Sequence, residues 1–340
     1  MSARKAPSTI RMRVRSIAEP QPGPKLGSVL HAYWPAYKKW IARAEPVDTR
    51  TCTEQLARHM PELMPVFEGL VRLGPEQDRD ELVRFFSLYR PPPVVRGCSQ
   101  AILHADEGPV LIRNYDHAPH LCDGVVLADS WLGTRVIAVT DCLWGALDGI
   151  NEHGLAVALA FGGRPDTGDG FGAPLIVRYL LETCRTTDQA RLALERLPVS
   201  MPYTFVTLDR AGAFITAFCA PDRPARFEHT PASTNHQGRV EWPEYAAHCH
   251  TVERLDRIHD LLGDPEETTD PALVEDAFLK PPLYRTDYAR ASGTIYTTVY
   301  RTGPGTMTLR WPRTRASFGI DDFTESDRTV TLDARAAPGR

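Results

Sequence analysis

The stretch Val95-Arg96-Gly97-Cys98-Ser99-Gln100 follows closely on Pro91-Pro92-Pro93. Helical periodicity lies before it and strand-like segments lie after it, so it divides the chain. A thiol is a weak nucleophile until something removes its proton. Were the chain cut before Cys98, the new α-amino group, with a pKa of roughly 8, could hold that proton and return it to a leaving amine. Such a cysteine needs no distant histidine, but it does need a free amino terminus. Met1 is far from Cys98, so the chain must be cut. Gly97 suits the cut: it puts no side chain in the way of the thiol and tolerates a strained backbone. Seen alone, Gly-Cys is also an ordinary loop dipeptide.

The residues downstream give Cys98 company. Arg113 and Asp116, in Ile112-Arg113-Asn114-Tyr115-Asp116, follow at a distance that a hairpin return would bring back beside it. A carboxylate there could orient the new ammonium, and a guanidinium could hold the thiolate or a neighbouring carboxylate. Asn151, in Asp148-Gly149-Ile150-Asn151-Glu152-His153-Gly154, and Asn235, in Thr234-Asn235-His236, offer neutral donors for an oxyanion. Both runs also suit turns, which Asn and Gly favour.

The bulk composition sets outer bounds. The 340 residues suffice for one large domain or two modest ones. A formal net charge of −4 gives no reason to expect a nucleic-acid partner. There is no apolar run of about 18 residues to span a membrane. Met1-Ser2-Ala3-Arg4-Lys5-Ala6-Pro7 lacks the apolar core of a secretory signal. Seven cysteines at irregular spacing, with no C-x-x-C, fit a reduced, cytoplasmic protein. No cofactor or resident metal is expected. His117, His120 and Cys122, or His248-Cys249-His250, could be drawn as metal sites. In the second run, however, adjacent residues cannot all face one ion on regular structure.

Residues 1–27 read as a mobile arm, or as an extended strand at Ile10–Ile17. From Gly27 to Arg90 the pattern is helical: Val29, Tyr33, Tyr37 and Trp40 recur at helical spacing, as do Leu56, Met60, Met64 and Phe67. The proline run is expected to end the last of these helices. Beyond Cys98, strands are expected at Val110–Ile112, Val125–Ala128, Val136–Val139 and Gly154–Ala160. Helices are expected at Pro174–Thr183 and Thr187–Arg196, the second capped by Thr187-Asp188. Thr204–Leu208 with Phe214–Cys219, and Thr294–Tyr300 with Thr306–Trp311, read as hairpins, and Val252–Leu262 as a helix. This order implies an α+β protein of antiparallel sheets and helical layers, not alternating βαβ units.

Taken in order, these runs resemble the cysteine branch of the N-terminal-nucleophile hydrolases, above all the isopenicillin N acyltransferase group (acyl-CoA:6-aminopenicillanate acyltransferases, peptidase C45-like). More distantly the chain resembles bile-salt hydrolases and penicillin V acylases. His31-Ala32-Tyr33-Trp34-Pro35 with Trp40 looks like the helical prosegment, and Gly97-Cys98 like the cleavage point. Arg113-Asn114-Tyr115-Asp116 matches the Arg-Asn-x-Asp motif, and Asp148 to Val157 the Gly-x-Asn-Glu-x-Gly-Leu stretch. Pro202-Tyr203 and Thr234-Asn235-His236 follow in the family's order.

The resemblance implies a four-layer αββα sandwich. Residues 1–97 would be a prosegment retained as a small chain, and residues 98–340 the catalytic chain. It also implies that Cys98 is the nucleophile both of self-cleavage at Gly97-Cys98 and of turnover through a thioester. Arg113 and Asp116 would orient it, and Asn235, with Asn151, would form the oxyanion hole. The substrate would be a small-molecule amide, resolved by water or by an amine. An acyl-CoA donor fits the resemblance, although no phosphate-cradling motif is evident, and a homo-oligomer is compatible with it.

There are departures from the pattern. Ser99-Gln100 stands where the acyltransferases often carry threonines. The late-strand arginine of bile-salt hydrolases has no assured counterpart at Arg290. Two other readings stay open: a papain-like enzyme using Cys98 with His153 or His236, and a non-catalytic binding protein on the same fold.

Overall fold

The computed structural model describes residues 9–263 and 269–333. The run Met1 to Pro7 lies outside the described residues. Arg11, Arg13 and Arg15 alternate with Met12, Val14 and Ser16, a period of two that suits a half-buried strand. Strand β1 (Thr9–Ala18) forms there, burying Met12, Val14 and Ser16. The extended alternative is therefore the one realised at these residues, and they are not a loose arm.

Four helices follow: α1 (Pro24–Ile41), α2 (Thr49–His59), α3 (Met64–Leu73) and α4 (Arg79–Ser87). Phe85 gathers them. Its ring centroid lies 5.6 Å from that of Trp34 and 4.6 Å from that of Tyr37. Helix α4 ends before the prolines, because Leu88 turns left-handed at φ 44°.

Strands β2 (Gly97–Ala105), β3 (Gly108–His117), β4 (Val125–Asp129), β5 (Val136–Asp141), β6 (Gly145–Asn151) and β7 (Ala156–Phe161) come next. Helices α5 (Ala173–Thr183) and α6 (Thr187–Arg196) precede the strands β8 (Tyr203–Leu208), β9 (Phe214–Ala220), β10 (Arg223–Glu228) and β11 (Ala232–Ser233). The cap of α6 is Thr186, whose hydroxyl accepts from the Gln189 amide, one residue earlier than Thr187-Asp188 suggested. Helices α7 (Pro243–Cys249), α8 (Thr251–Leu262) and α9 (Pro271–Ala277) lead to β12 (Thr286–Asp287), β13 (Ser292–Arg301), β14 (Thr306–Trp311), β15 (Thr314–Gly319) and β16 (Ser326–Asp333).

Among the described residues the strands make two sheets. One runs β10-β9-β8-β7-β6-β5-β4-β1-β16; the other runs β11-β2-β3-β13-β14-β15, with β12 on β13. Strand β1 is parallel to β4 and antiparallel to β16, so the sheet joins segments more than 300 residues apart in the chain. The sheets face each other, with β2 against β7 and β3 against β8. Helices α5 and α6 cover the outer face of the first sheet. On the outer face of the second, Ile258 of α8 and Val274 of α9 pack with Phe278, Ile112 and Val299. The fold is thus the four-layer αββα sandwich, with the four-helix segment added at the N-terminal side.

Candidate active site

Gly97 and Cys98 open β2, and β3 returns antiparallel beside them. The register pairs Gly97 with Asp116, Cys98 with Tyr115 and Gln100 with Arg113. Residues directly opposite in a ladder share a face, and faces alternate along each strand. Cys98 and Arg113 therefore share the face toward the first sheet, while Gly97 and Asp116 share the other. The hairpin return expected from the spacing is present, but it delivers Arg113 to the thiol and Asp116 to the backbone before it.

Arg113 is wholly buried. Its Nη2 donates to Cys98 Sγ at 3.3 Å, its Nε to the Leu159 carbonyl at 2.9 Å and its Nη1 to Tyr296 Oη at 3.1 Å. Nη1 also pairs with Asp148. That carboxylate accepts from Tyr296 Oη at 3.0 Å and from Tyr300 Oη as well. Burial opposes the guanidinium's charge, but Cys98 and Asp148 outweigh it and hold its pKa well above the ordinary value. The Cys98 thiol is pushed up, first by burial and also by Asp116, with Arg113 and Arg254 pulling the other way.

On the opposite face, Asp116 accepts from Thr294 Oγ1 at 2.7 Å, and its Oδ2 lies 3.6 Å from Arg254 Nη1. That Oδ2 is buried without a hydrogen-bond partner. A Cβ added to Gly97 would stand 2.9 Å from Asp116 Cβ and 3.0 Å from Oδ2. Only glycine lets the carboxylate lie so close to this backbone.

Asn235 reaches in from the turn after β11. Its Oδ1 accepts from the Cys98 amide at 2.9 Å and from Arg254 Nη2 at 2.7 Å. Its Nδ2 donates to the Phe161 carbonyl at 3.0 Å and to the Arg96 carbonyl at 3.3 Å. Tyr245 Oη donates to that same Arg96 carbonyl at 2.5 Å. Arg254 Nη1 holds the Cys98 carbonyl at 2.6 Å and Ser99 Oγ at 2.7 Å.

The structure thus brings together Gly97, Cys98, Arg113, Asp116 and Asn235. It does not bring Asn151 to them. The Asn151 amide donates to the carbonyls of Leu181 and Cys184 at the end of α5, and its oxygen accepts from the His153 and Leu155 amides. With all these bonds made, it braces a turn and has no donor left for an oxyanion.

His236 Nδ1 sits 2.9 Å from Thr251 Oγ1, and burial lowers its pKa. Arg290 is largely exposed beside Asp287. Among the described residues, no group of three or more His, Cys, Asp or Glu is placed to hold a metal ion.

Two charged members of this cluster escaped the sequence reading. Asp148 lies amid Ala146, Leu147, Gly149 and Ile150, a charge inside a buried strand. Arg254 occupies the inward stripe of α8 with Thr251 and Ile258. An ionic residue on an apolar stripe was the available signal for each.

The family model described as acyl-coenzyme A:6-aminopenicillanic acid acyl-transferase matches residues 103–316, more than half of the chain. The chain belongs to this acyltransferase family. The match spans Arg113, Asp116, Asn235 and Arg254 and begins just after Cys98.

Solved structures similar to this member of the family include a conjugated bile acid hydrolase from Clostridium perfringens. It is 12% identical, with 72% of this chain and 99% of that one covered, at a TM-score of 0.42. A Caenorhabditis elegans ortholog of N-acylethanolamine-hydrolyzing acid amidase is 16% identical over 61% of this chain and 93% of that one, at 0.43. Penicillin V acylase from Agrobacterium tumefaciens is 12% identical over 65% and 84%, at 0.38. A search of curated proteins gave no match.

Proposed function

We propose that the chain cuts itself between Gly97 and Cys98 and then acts on a small acyl amide through a Cys98 thioester. The observation that carries this reading is the convergence of buried polar groups on Cys98 and the residue before it. The Cys98 thiol is held by Arg113, its amide by Asn235, its carbonyl by Arg254, and the residue before it lies against Asp116.

In the first step Sγ attacks the Gly97 carbonyl carbon. The S–C bond forms, the C–N bond breaks, and the nitrogen gains a proton to become the α-amine of Cys98. Water then attacks the thioester, the S–C bond breaks, the thiol returns and Gly97 keeps a carboxylate. Asp116 Oδ2, buried with no hydrogen bond and only the 3.6 Å ion contact to Arg254, can receive the new ammonium. In turnover the same amine takes the thiol proton and passes it to the leaving amine of the substrate.

Asn235 Nδ2 faces the Arg96 carbonyl, one residue before the bond to be cut. When that segment shifts after cleavage, Nδ2 becomes free to donate to the oxyanion of the tetrahedral intermediate. Arg254 fixes Oδ1 and so decides which end of the amide faces the reaction. Residues 1–97 stay attached as a small chain, because β1 is hydrogen-bonded inside the first sheet and α1–α4 bury Trp34, Phe67 and Phe85.

Mass spectrometry of the purified protein with candidate acyl amides tests the proposal. It should reveal a mature chain starting at Cys98 and an acyl adduct on it. Turnover by uncut protein, or an adduct elsewhere, would refute it.

A further inference from the structure

The linker before Cys98 lies between two cavities, both bordered by Val94, Arg96, Asp141 and Cys142. The larger, of about 160 Å³, is walled by Tyr33, Tyr37, Trp40, His117, Asp123 and Asp141. Arg96 projects its guanidinium into this group. Its Nη1 stands 2.6 Å from Asp141 Oδ2, and the guanidinium lies over the Tyr115 ring at 5.5 Å from the centroid. The side chain of Arg96 is 11% exposed and that of Asp141 3%. Around this ion pair, Arg96 Nε, Tyr115 Oη and His117 Nδ1 are buried without hydrogen-bond partners, and Asp141 Oδ2 has the ion contact alone. Buried polar atoms are ordinarily satisfied, so three without a hydrogen-bond partner beside one ion pair leave bonding capacity for a polar guest.

We infer that this cavity is the acyl-side subsite of the mature enzyme and that it selects an acyl group carrying a cation, whose place Arg96 holds before the cut. The inference rests on the proposed self-cleavage. In that reaction the first acyl group on Cys98 is the segment ending Arg96-Gly97, so the first thioester is itself an acyl-enzyme with a cationic acyl chain. The same thiol later takes the substrate's carbonyl, so the substrate's acyl chain leaves from the same atom into the same walls. Once Arg96 gives up its seat, Asp141 is a buried carboxylate without its counter-ion, a costly state that a new cation relieves. The aromatic rings of Tyr33, Tyr37, Trp40 and Tyr115 suit an ammonium or guanidinium as well.

The test uses mature wild-type enzyme and two matched probes: the 4-nitroanilides of acetyl-arginyl-glycine and of acetyl-norleucyl-glycine. The arginyl probe should be favoured at least tenfold in kcat/KM, and Asp141→Asn should shrink that ratio at least fivefold. The wild-type comparison decides alone if the variant does not mature. If Cys98 is acylated as fast by the norleucyl probe, the cation subsite is wrong while the thiol chemistry stands. If neither probe nor any uncharged acyl amide leaves an adduct on Cys98, the proposed function fails and this inference with it.

Discussion

Arg113 Nη2 lies 3.3 Å from Cys98 Sγ, and the same guanidinium is tied to Asp148 on the facing sheet. The Cys98 thiol is therefore held by a side chain anchored in both sheets of the sandwich. Its orientation depends on how the sheets pack, not on the β2–β3 hairpin alone.

Replacing Arg113 by Ala should damage both reactivity and folding. The thiol loses its donor, and Asp148 is left buried without its counter-charge, at a cost of about 3–5 kcal/mol. Thermal unfolding should report the loss. Arg113→Lys should recover much of the stability but little of the cleavage. One ammonium cannot reproduce the fork that meets Sγ, the Leu159 carbonyl and Asp148 together.

Gly97→Ala should slow self-cleavage at least tenfold, followed as the appearance of the shorter chains on a denaturing gel. The added methyl would meet Asp116 Cβ at 2.9 Å, and relief requires moving the carboxylate or the strand. Cleavage at the wild-type rate would mean that the close approach has no part in the reaction.

The two asparagines should separate cleanly. Asn235→Ala should act on kcat, with a loss of about 3 kcal/mol, or roughly a hundredfold or more. A change in KM alone would make Asn235 a binding residue instead. Asn151→Ala should lower Tm, because the Leu181 and Cys184 carbonyls lose their donor, while the properly folded fraction keeps its kcat.

Histidines should be dispensable for proton transfer. His153→Gln and His236→Gln should each retain measurable turnover after maturation, whereas Asp116→Asn should lose it. Should a histidine variant fall to the level of Cys98→Ala while Asp116→Asn stays active, a Cys-His mechanism replaces this one.

Stability should also carry a pH signature from Asp123. Burial first, and Asp141 beside it, push this carboxyl up to about 7. Its folded pKa lies above its unfolded value, so the folded state binds the extra proton, and this contribution falls as pH rises from about 4 toward 7. His117 works in the opposite sense, since burial lowers it to about 2 and disfavours folding below about pH 6.5. The comparison is therefore wild type against Asp123→Asn in thermal unfolding between pH 4 and 7. Relative to wild type, the variant should gain Tm as pH rises. Parallel curves would show that Asp123 ionises normally.

Much of the architecture was legible because it follows period. The alternation around Met12 and Val14, the helical spacing of Val29 to Trp40, and the hairpins at Asp209-Gly212 and Gly303-Gly305 are local signals that tertiary packing preserved. That Cys98, Arg113, Asp116 and Asn235 lie together was legible through motif order. Asn151 misled for a physical reason: an Asn before Glu-His-Gly serves equally well as a turn brace, and only the carbonyls of α5 decide between the two uses. Asp148 and Arg254 were harder still, since their partners lie on the other sheet and on β2, far away in the chain. The cap at Thr186 was missed by one residue, and the helix stop at Leu88 depends on a backbone angle that composition does not reveal.

Cys98 itself is proposed to cut the bond before it. Intact-mass analysis under denaturing conditions, on freshly purified wild type and on Cys98→Ala, tests it most directly. Wild type should resolve into residues 1–97 and 98–340, which co-elute under native conditions, while Cys98→Ala should remain one chain. A fully active wild-type protein that stays a single chain of 340 residues would contradict it.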